Sequence, residues 1–251
     1  MHFILYLQGR ERKMYTNQYK FDKNLIVFLV GFLFFNLLPT ILLSLGFFEW
    51  IDMTLLYEIR YFSYSDLITI TAYLISITML FCLIGRTYFD QLIQEIKKHN
   101  NLIRGIAIGV IIVTVTILYN LLLNTIVKTG SNINEQSVES LSIRRPLEAF
   151  FIIVLIAPIF EEYIYRFGLF GFFKKKNRFL AYAVTILLFA LIHFNISSDP
   201  SEMINELLNL PSYLLAAGIL SFAYDKYGIS VSIYAHMFNN LIAFISTFIT
   251  I

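Results

Sequence analysis

Residues 147–173 read LEAFFIIVLIAPIFEEYIYRFGLFGFF. The run is apolar enough for a membrane-spanning helix, yet it holds Glu161, Glu162 and Arg166. Ionisable groups near mid-bilayer cost at least a few kcal/mol each, so they persist where they pair, line a cavity or carry out chemistry. Two later apolar runs contain His193 and His236, the latter followed by Asn240. A bundle that gathers two carboxylates, two imidazoles and an amide points to an enzyme of the bilayer interior.

The composition sets the environment. Of 251 residues, 58% are hydrophobic and only 14% charged. Soluble domains hold about 25% charged residues, so the chain reads as a polytopic membrane protein of the all-α class. The net charge of +2 gives no sign of a nucleic-acid partner. The partners expected are the lipid bilayer and a peptide or membrane-protein substrate. The single cysteine, Cys82, falls in an apolar run and reads as a packing residue. The 25 phenylalanines read as lipid-facing bulk.

A helix needs about 20 residues to cross the hydrocarbon core. Candidate spans lie at 25–48, 67–85, 105–127, 147–173, 179–196, 211–224 and 229–250, about seven in all. The sixth is short and opens with Pro211, a residue suited to a first helical turn. The polar stretch 128–146 reads as a mobile loop. Residues 1–24 form an N-terminal segment, and 25–251 a single transmembrane domain with its catalytic core at about 147–250. Of the 19 Lys and Arg, only Arg60, Lys128, Arg144 and Arg145 fall on one side and Arg166 lies within a span. The rest share the other side, so the positive-inside rule places the N-terminus in the cytoplasm and the C-terminus outside, in a multi-pass protein of the cell membrane. No secretory signal is evident, and Met14 is an alternative start.

Depth follows from a rise of 1.5 Å per residue. Measured from the basic run at 174–178, Glu161 and His193 both lie roughly 20 Å in. His236 and Asn240 lie roughly 12 and 18 Å from the same side. Glu162 and Arg166 are four apart and share a face, which suits an ion pair. Glu161 points about 100° away and is free for another partner. Glu161 with His193 therefore reads as the pair that takes a proton from water, and His236 with Asn240 as hydrogen-bond donors to an oxyanion. Tyr163 and Tyr165 flank the glutamates and are candidates for orienting them. Asn36, Asn120 and Asn124 have no nameable partners.

Three motifs carry a resemblance. Glu161-Glu162-Tyr-Ile-Tyr-Arg166 is similar to the EExxxR motif of the CAAX protease and bacteriocin-processing family, also called the Abi family. Phe189-Ala-Leu-Ile-His193 resembles its FxxxH motif, and His236-Met-Phe-Asn-Asn240 its HxxxN motif. The resemblance spans 157–240. It implies an intramembrane endopeptidase in which Glu161, His193, His236 and Asn240 are catalytic, with Glu162 and Arg166 in support. It leaves the cofactor open. No HExxH is present, which favours a metal-free site, but Glu161, His193 and His236 could still form a His₂Glu zinc site.

The expected substrate is a membrane-associated or secreted precursor. The Ile-, Asn-, Phe- and Lys-rich composition suggests a bacterial chain, so a prenylated protein is not expected, and bacteriocin processing, self-immunity or peptide signalling are the roles in view. The alternative is a non-catalytic immunity or scaffold protein, or a proton-coupled transporter, since intramembrane Glu and His also serve proton relays.

Overall fold

The computed structural model describes residues 22–38, 41 and 64–249, all helix and connecting segments with no strand among them. Helix α1, Lys23–Phe32, is capped by the Asp22 carboxylate, which accepts from the Asn24 amide at 2.9 Å, and runs on through a π-helical turn at Leu33–Leu37. Helix α2, Tyr64–Ile96, is broken at Gly85, whose φ of 74° and ψ of 162° suit only glycine. The Lys23 ammonium donates to the Ile84 carbonyl beside that break.

Helix α3, His99–Ile126, packs along α8, Ile229–Ile249. Gly105 and Gly109 make this possible. A Cβ on Gly105 would come 2.3 Å from the Tyr234 Cβ, and one on Gly109 2.8 Å from the Phe238 Cβ. Small residues four apart let two backbones approach in a medium where apolar burial alone does not drive helices together.

Residues 128–146 contain an ordered helix rather than a mobile loop. Helix α4, Ile133–Arg144, starts with a capping box in which Asn132 accepts from the Glu135 amide at 2.8 Å and Glu135 reaches back to the Asn132 amide. Helix α5 covers 146–174 and passes twice into π-helix, at Phe150–Ile156 and Glu162–Phe170. The first π stretch has a cause in the sequence. The Ala157 N–H bonds to the Ile152 carbonyl, five residues back, and Pro158 has no N–H to offer Ile153. The Ile153 carbonyl needs a donor from elsewhere.

Helix α6, Arg178–Leu191, is shorter than the expected span at 179–196. Its 14 residues rise about 21 Å, against a hydrocarbon core of about 30 Å, and His193 lies in the turn beyond it. Helix α7, Pro200–Tyr227, is correspondingly longer than expected. Pro200 occupies the first turn behind the Asp199 cap, and Pro211 sits in the helix interior. Among the described residues, α3, α7 and α8 are long and apolar enough to cross a membrane. The expected span at 25–48 lies partly outside the described residues, as do residues 1–21 and Met14.

The main core surrounds residues 160–170 of α5, with Phe160, Ile164 and Tyr165 packed among Val27, Ile84, Phe189 and Ile233. Phe160, Phe170 and Phe189 are thus interior residues, not lipid-facing bulk. Cys82 is exposed on α2 and fills no gap in the core. Asn120 accepts from the Ser212 hydroxyl at 3.4 Å and Asn124 from Thr129 at 3.0 Å, so both have partners that the sequence did not name.

Candidate active site

Helices α5 and α8 place most of the polar side chains. Glu162 and Arg166, both fully buried, form an ion pair at 3.0 Å between Oε1 and Nη1. A charge removed from water needs a partner and further hydrogen bonds. Arg166 Nη2 donates to the Ala217 carbonyl of α7 at 3.4 Å, and its guanidinium lies 4.1 Å from the centre of the Phe189 ring, a cation–π contact. Glu162 Oε2 accepts from the Ser232 hydroxyl, and Oε1 also accepts from His236 Nδ1 at 2.9 Å. Glu162 is therefore more than half of an ion pair: it orients an imidazole.

The tautomers follow from the partners. A carboxylate paired with arginine only accepts, so the proton of neutral His236 sits on Nδ1 and its Nε2 is bare. That nitrogen faces Glu161 Oε2 at 3.7 Å, beyond a hydrogen bond. Glu161 Oε2 is buried and makes no hydrogen bond within the protein. His193 has the same form, because Nδ1 lies 2.9 Å from the Phe189 carbonyl, which can only accept. Its ring stacks on Tyr213 at 4.7 Å between centroids with the planes 20° apart.

Glu161 lies in ion-pair range of His236 as well, a partner that the spacing did not indicate. Both imidazoles pack on Phe189, whose ring centre is 5.0 Å from that of His193 and 5.9 Å from that of His236. Asn240 has partners within the protein. Its Nδ2 donates to the Ile153 carbonyl at 2.9 Å, the group left without a helical donor by Pro158, and its Oδ1 accepts from Asn239 at 3.2 Å. One Nδ2 hydrogen remains for a ligand. Tyr165 packs edge-on to Phe189 at 5.3 Å and Tyr163 tilts against Phe167 at 5.7 Å.

Zinc-binding histidines tie one ring nitrogen to a carboxylate or carbonyl and present the other, as both imidazoles do here. Among the described residues, however, no three of the His, Cys, Asp and Glu side chains group closely enough to hold a metal ion.

Residues 144–242 match the family model described as Rce1-like, type II CAAX prenyl endopeptidase. The matched segment is similar to the CAAX protease family. It contains Glu161, Glu162, Arg166, His193, His236 and Asn240. Comparison with curated proteins gave no match, and neither did comparison with solved structures.

The matched segment also holds polar residues that the motifs do not mark. Ser232 lies one turn before His236, and a hydroxyl at that spacing was the available signal. Glu206 and Tyr213 come from a stretch that reads as a loop running into a short helix, and nothing local flags them.

Proposed function

We propose that the protein is an intramembrane endopeptidase that hydrolyses a peptide bond with water activated by Glu161. The observation that carries this reading is the Glu161 carboxylate: buried, without a hydrogen bond from the protein at Oε2, and faced by the bare Nε2 of an imidazole held by Glu162. A structural carboxylate in such a site would be bonded. One that takes a proton from water needs a free oxygen and a low-dielectric setting.

In this reading Glu161 accepts a proton as the water oxygen attacks the carbonyl carbon. His193 Nε2 accepts the other hydrogen of that water and orients it. The remaining Nδ2 hydrogen of Asn240 points polarity at the developing oxyanion. The proton taken by Glu161 passes to the bare Nε2 of His236, which faces it, and from there to the leaving amine nitrogen as the C–N bond breaks. Glu162 and Arg166 hold His236 in place and balance each other's charge. The substrate is a membrane-associated or secreted precursor, with bacteriocin processing, self-immunity or peptide signalling as the physiological setting.

The test compares membrane and secreted peptides from cells carrying wild-type protein and Glu161→Gln. One precursor should persist uncleaved in the variant at equal protein abundance. Identical peptide profiles at equal abundance would instead support a scaffold or transporter. The mechanism uses no metal: purified protein should carry less than one equivalent of zinc, and His236→Gln should keep residual activity after a loss of about 10²–10³ in rate. One tightly held equivalent of zinc, lost with activity on chelation and restored with it, would overturn the metal-free form.

A further inference from the structure

His193 differs from the other site residues in its support. Glu161, Glu162, His236 and Asn240 stand within helices, whereas His193 lies in the turn after Leu191, where α6 has ended. A site group needs its geometry held closely, and a helix end supplies less of that than a helix interior. One face of α7 meets this need. Glu206, Asn209 and Tyr213 are spaced i, i+3 and i+7, so they line up along it. Glu206 is 1% exposed. Its Oε2 accepts from the backbone N–H of Asn195 at 3.0 Å, two residues past His193, and its Oε1 from the N–H of Ile133 at 2.8 Å, the first residue of α4. Two turns along, Tyr213 stacks on the His193 ring while its hydroxyl accepts from Asn132 Nδ2 and Asn134 Nδ2, each at 3.1 Å. Asn209 Nδ2 donates to the Gly130 carbonyl at 3.1 Å and completes the docking of the α4 entry.

We propose that Glu206 and Tyr213 are positioning residues for His193: Glu206 fixes the backbone that follows the histidine, and Tyr213 fixes the plane of its ring. The assignment of a catalytic purpose rests on the hydrolytic reading above, but the positioning itself does not. Glu206 suits the task because both its oxygens accept from backbone N–H groups, one in an irregular turn and one at a helix start, neither of which has a helical partner. A glutamine would satisfy one of these donors and set an NH₂ against the other. Tyr213 separates the two contributions, since phenylalanine keeps the stacked ring and loses only the hydroxyl.

The chain has four histidines, which makes their imidazole signals resolvable. We would label histidine with ¹⁵N in full-length protein in lipid nanodiscs and assign His193 and His236 through their Gln variants. His193 should show a single tautomer protonated at Nδ1. In Glu206→Gln and in Tyr213→Leu that signal should shift towards a tautomer mixture while the His236 signal stays in place; in Tyr213→Phe it should stay near wild type. In cells, Tyr213→Leu should accumulate the same precursor as Glu161→Gln, at unaltered abundance. If Glu206→Gln does not fold, the Tyr213 pair decides. An unchanged His193 signal in folded Tyr213→Leu overturns the proposal. Failure of the hydrolytic reading would show separately, as a Glu161→Gln peptide profile equal to wild type, and would leave the histidine spectra intact.

Discussion

The molecule carries two knots of charge made from similar parts in opposite surroundings. In the interior, Glu162 and Arg166 are fully buried and share their bonds with His236 and Ser232. At the end of α7, Asp225, its own side chain 1% exposed, pairs with Lys174 and Arg178, each at 2.6 Å, but those cations are 46% and 69% exposed. Lys175 reaches Asp22 nearby at 2.8 Å. The exposed knot ties the α5–α6 connection to α7 and to the start of α1. Water and salt can replace much of what it offers. The buried knot has no such substitute, and its geometry is passed directly to an imidazole of the site. Burial, and not the number of charges, separates a fastening from a part of the machinery.

The largest effect should come from breaking the buried knot. Glu162→Ala or Arg166→Ala leaves one uncompensated buried charge and should cost about 3–5 kcal/mol. Thermal unfolding in detergent and abundance in membranes would both register it. Replacing both residues together by apolar ones should recover much of that stability while leaving His236 without its Nδ1 partner, so stability and activity part company. Equal abundance of the single variants and wild type would mean that the interior is wetter than its burial indicates.

Ser232→Ala removes one bond to the same carboxylate. Glu162 Oε2 would then lack its hydroxyl donor, at a cost of about 1–3 kcal/mol. Measured in the same unfolding assay, a loss within error would show that Ser232 satisfies the Leu220 carbonyl, 3.0 Å away, rather than the carboxylate.

The exposed knot should respond least to mutation and most to solution conditions. Partial burial works against the Asp22 carboxylate, but Lys175 and the Asn24 amide outweigh it and hold the group below its ordinary 3.8. A carboxylate lowered in the folded state stabilises above its unfolded value, and that contribution is lost as pH falls through the lowered one. Asp22→Asn should therefore flatten a small acid-side loss of stability, and raising salt should shrink the difference between variant and wild type. A salt-insensitive difference would place Asp22 in a drier setting than its partner's exposure implies.

The sequence makes the two knots unequally visible, and the rest of the site follows the same rule. Glu161, Glu162 and Arg166 stand out because a charge within an apolar run is costly, and that cost is legible without a structure. The helical class and the i, i+4 pairing of Glu162 with Arg166 follow from period and composition. Which histidine meets Glu161 does not, because depth along a helix says nothing of rotation between helices. The end of α6 before His193 and the start of α7 at Pro200 were hidden by Glu202, Asn205, Glu206 and Asn209, whose polarity resembles that of a loop. These residues are polar because they hold α4 and the turn after His193, a tertiary reason. The capping box at Asn132 and Glu135 was readable locally and marks α4 in hindsight of its spacing. Asn240 shows the limit most clearly: its partner is a carbonyl freed by a proline on another helix.

The central claim is that Glu161 activates water while Glu162 holds the site together. Its most direct test is cleavage of the identified precursor by purified protein in lipid, comparing wild type with Glu161→Gln alongside thermal unfolding of both. Loss of positioned base catalysis should lower the rate by about 10²–10⁴, with the unfolding midpoint of Glu161→Gln at or above that of wild type. Cleavage by Glu161→Gln at the wild-type rate would contradict the account, whatever the stability of the variant.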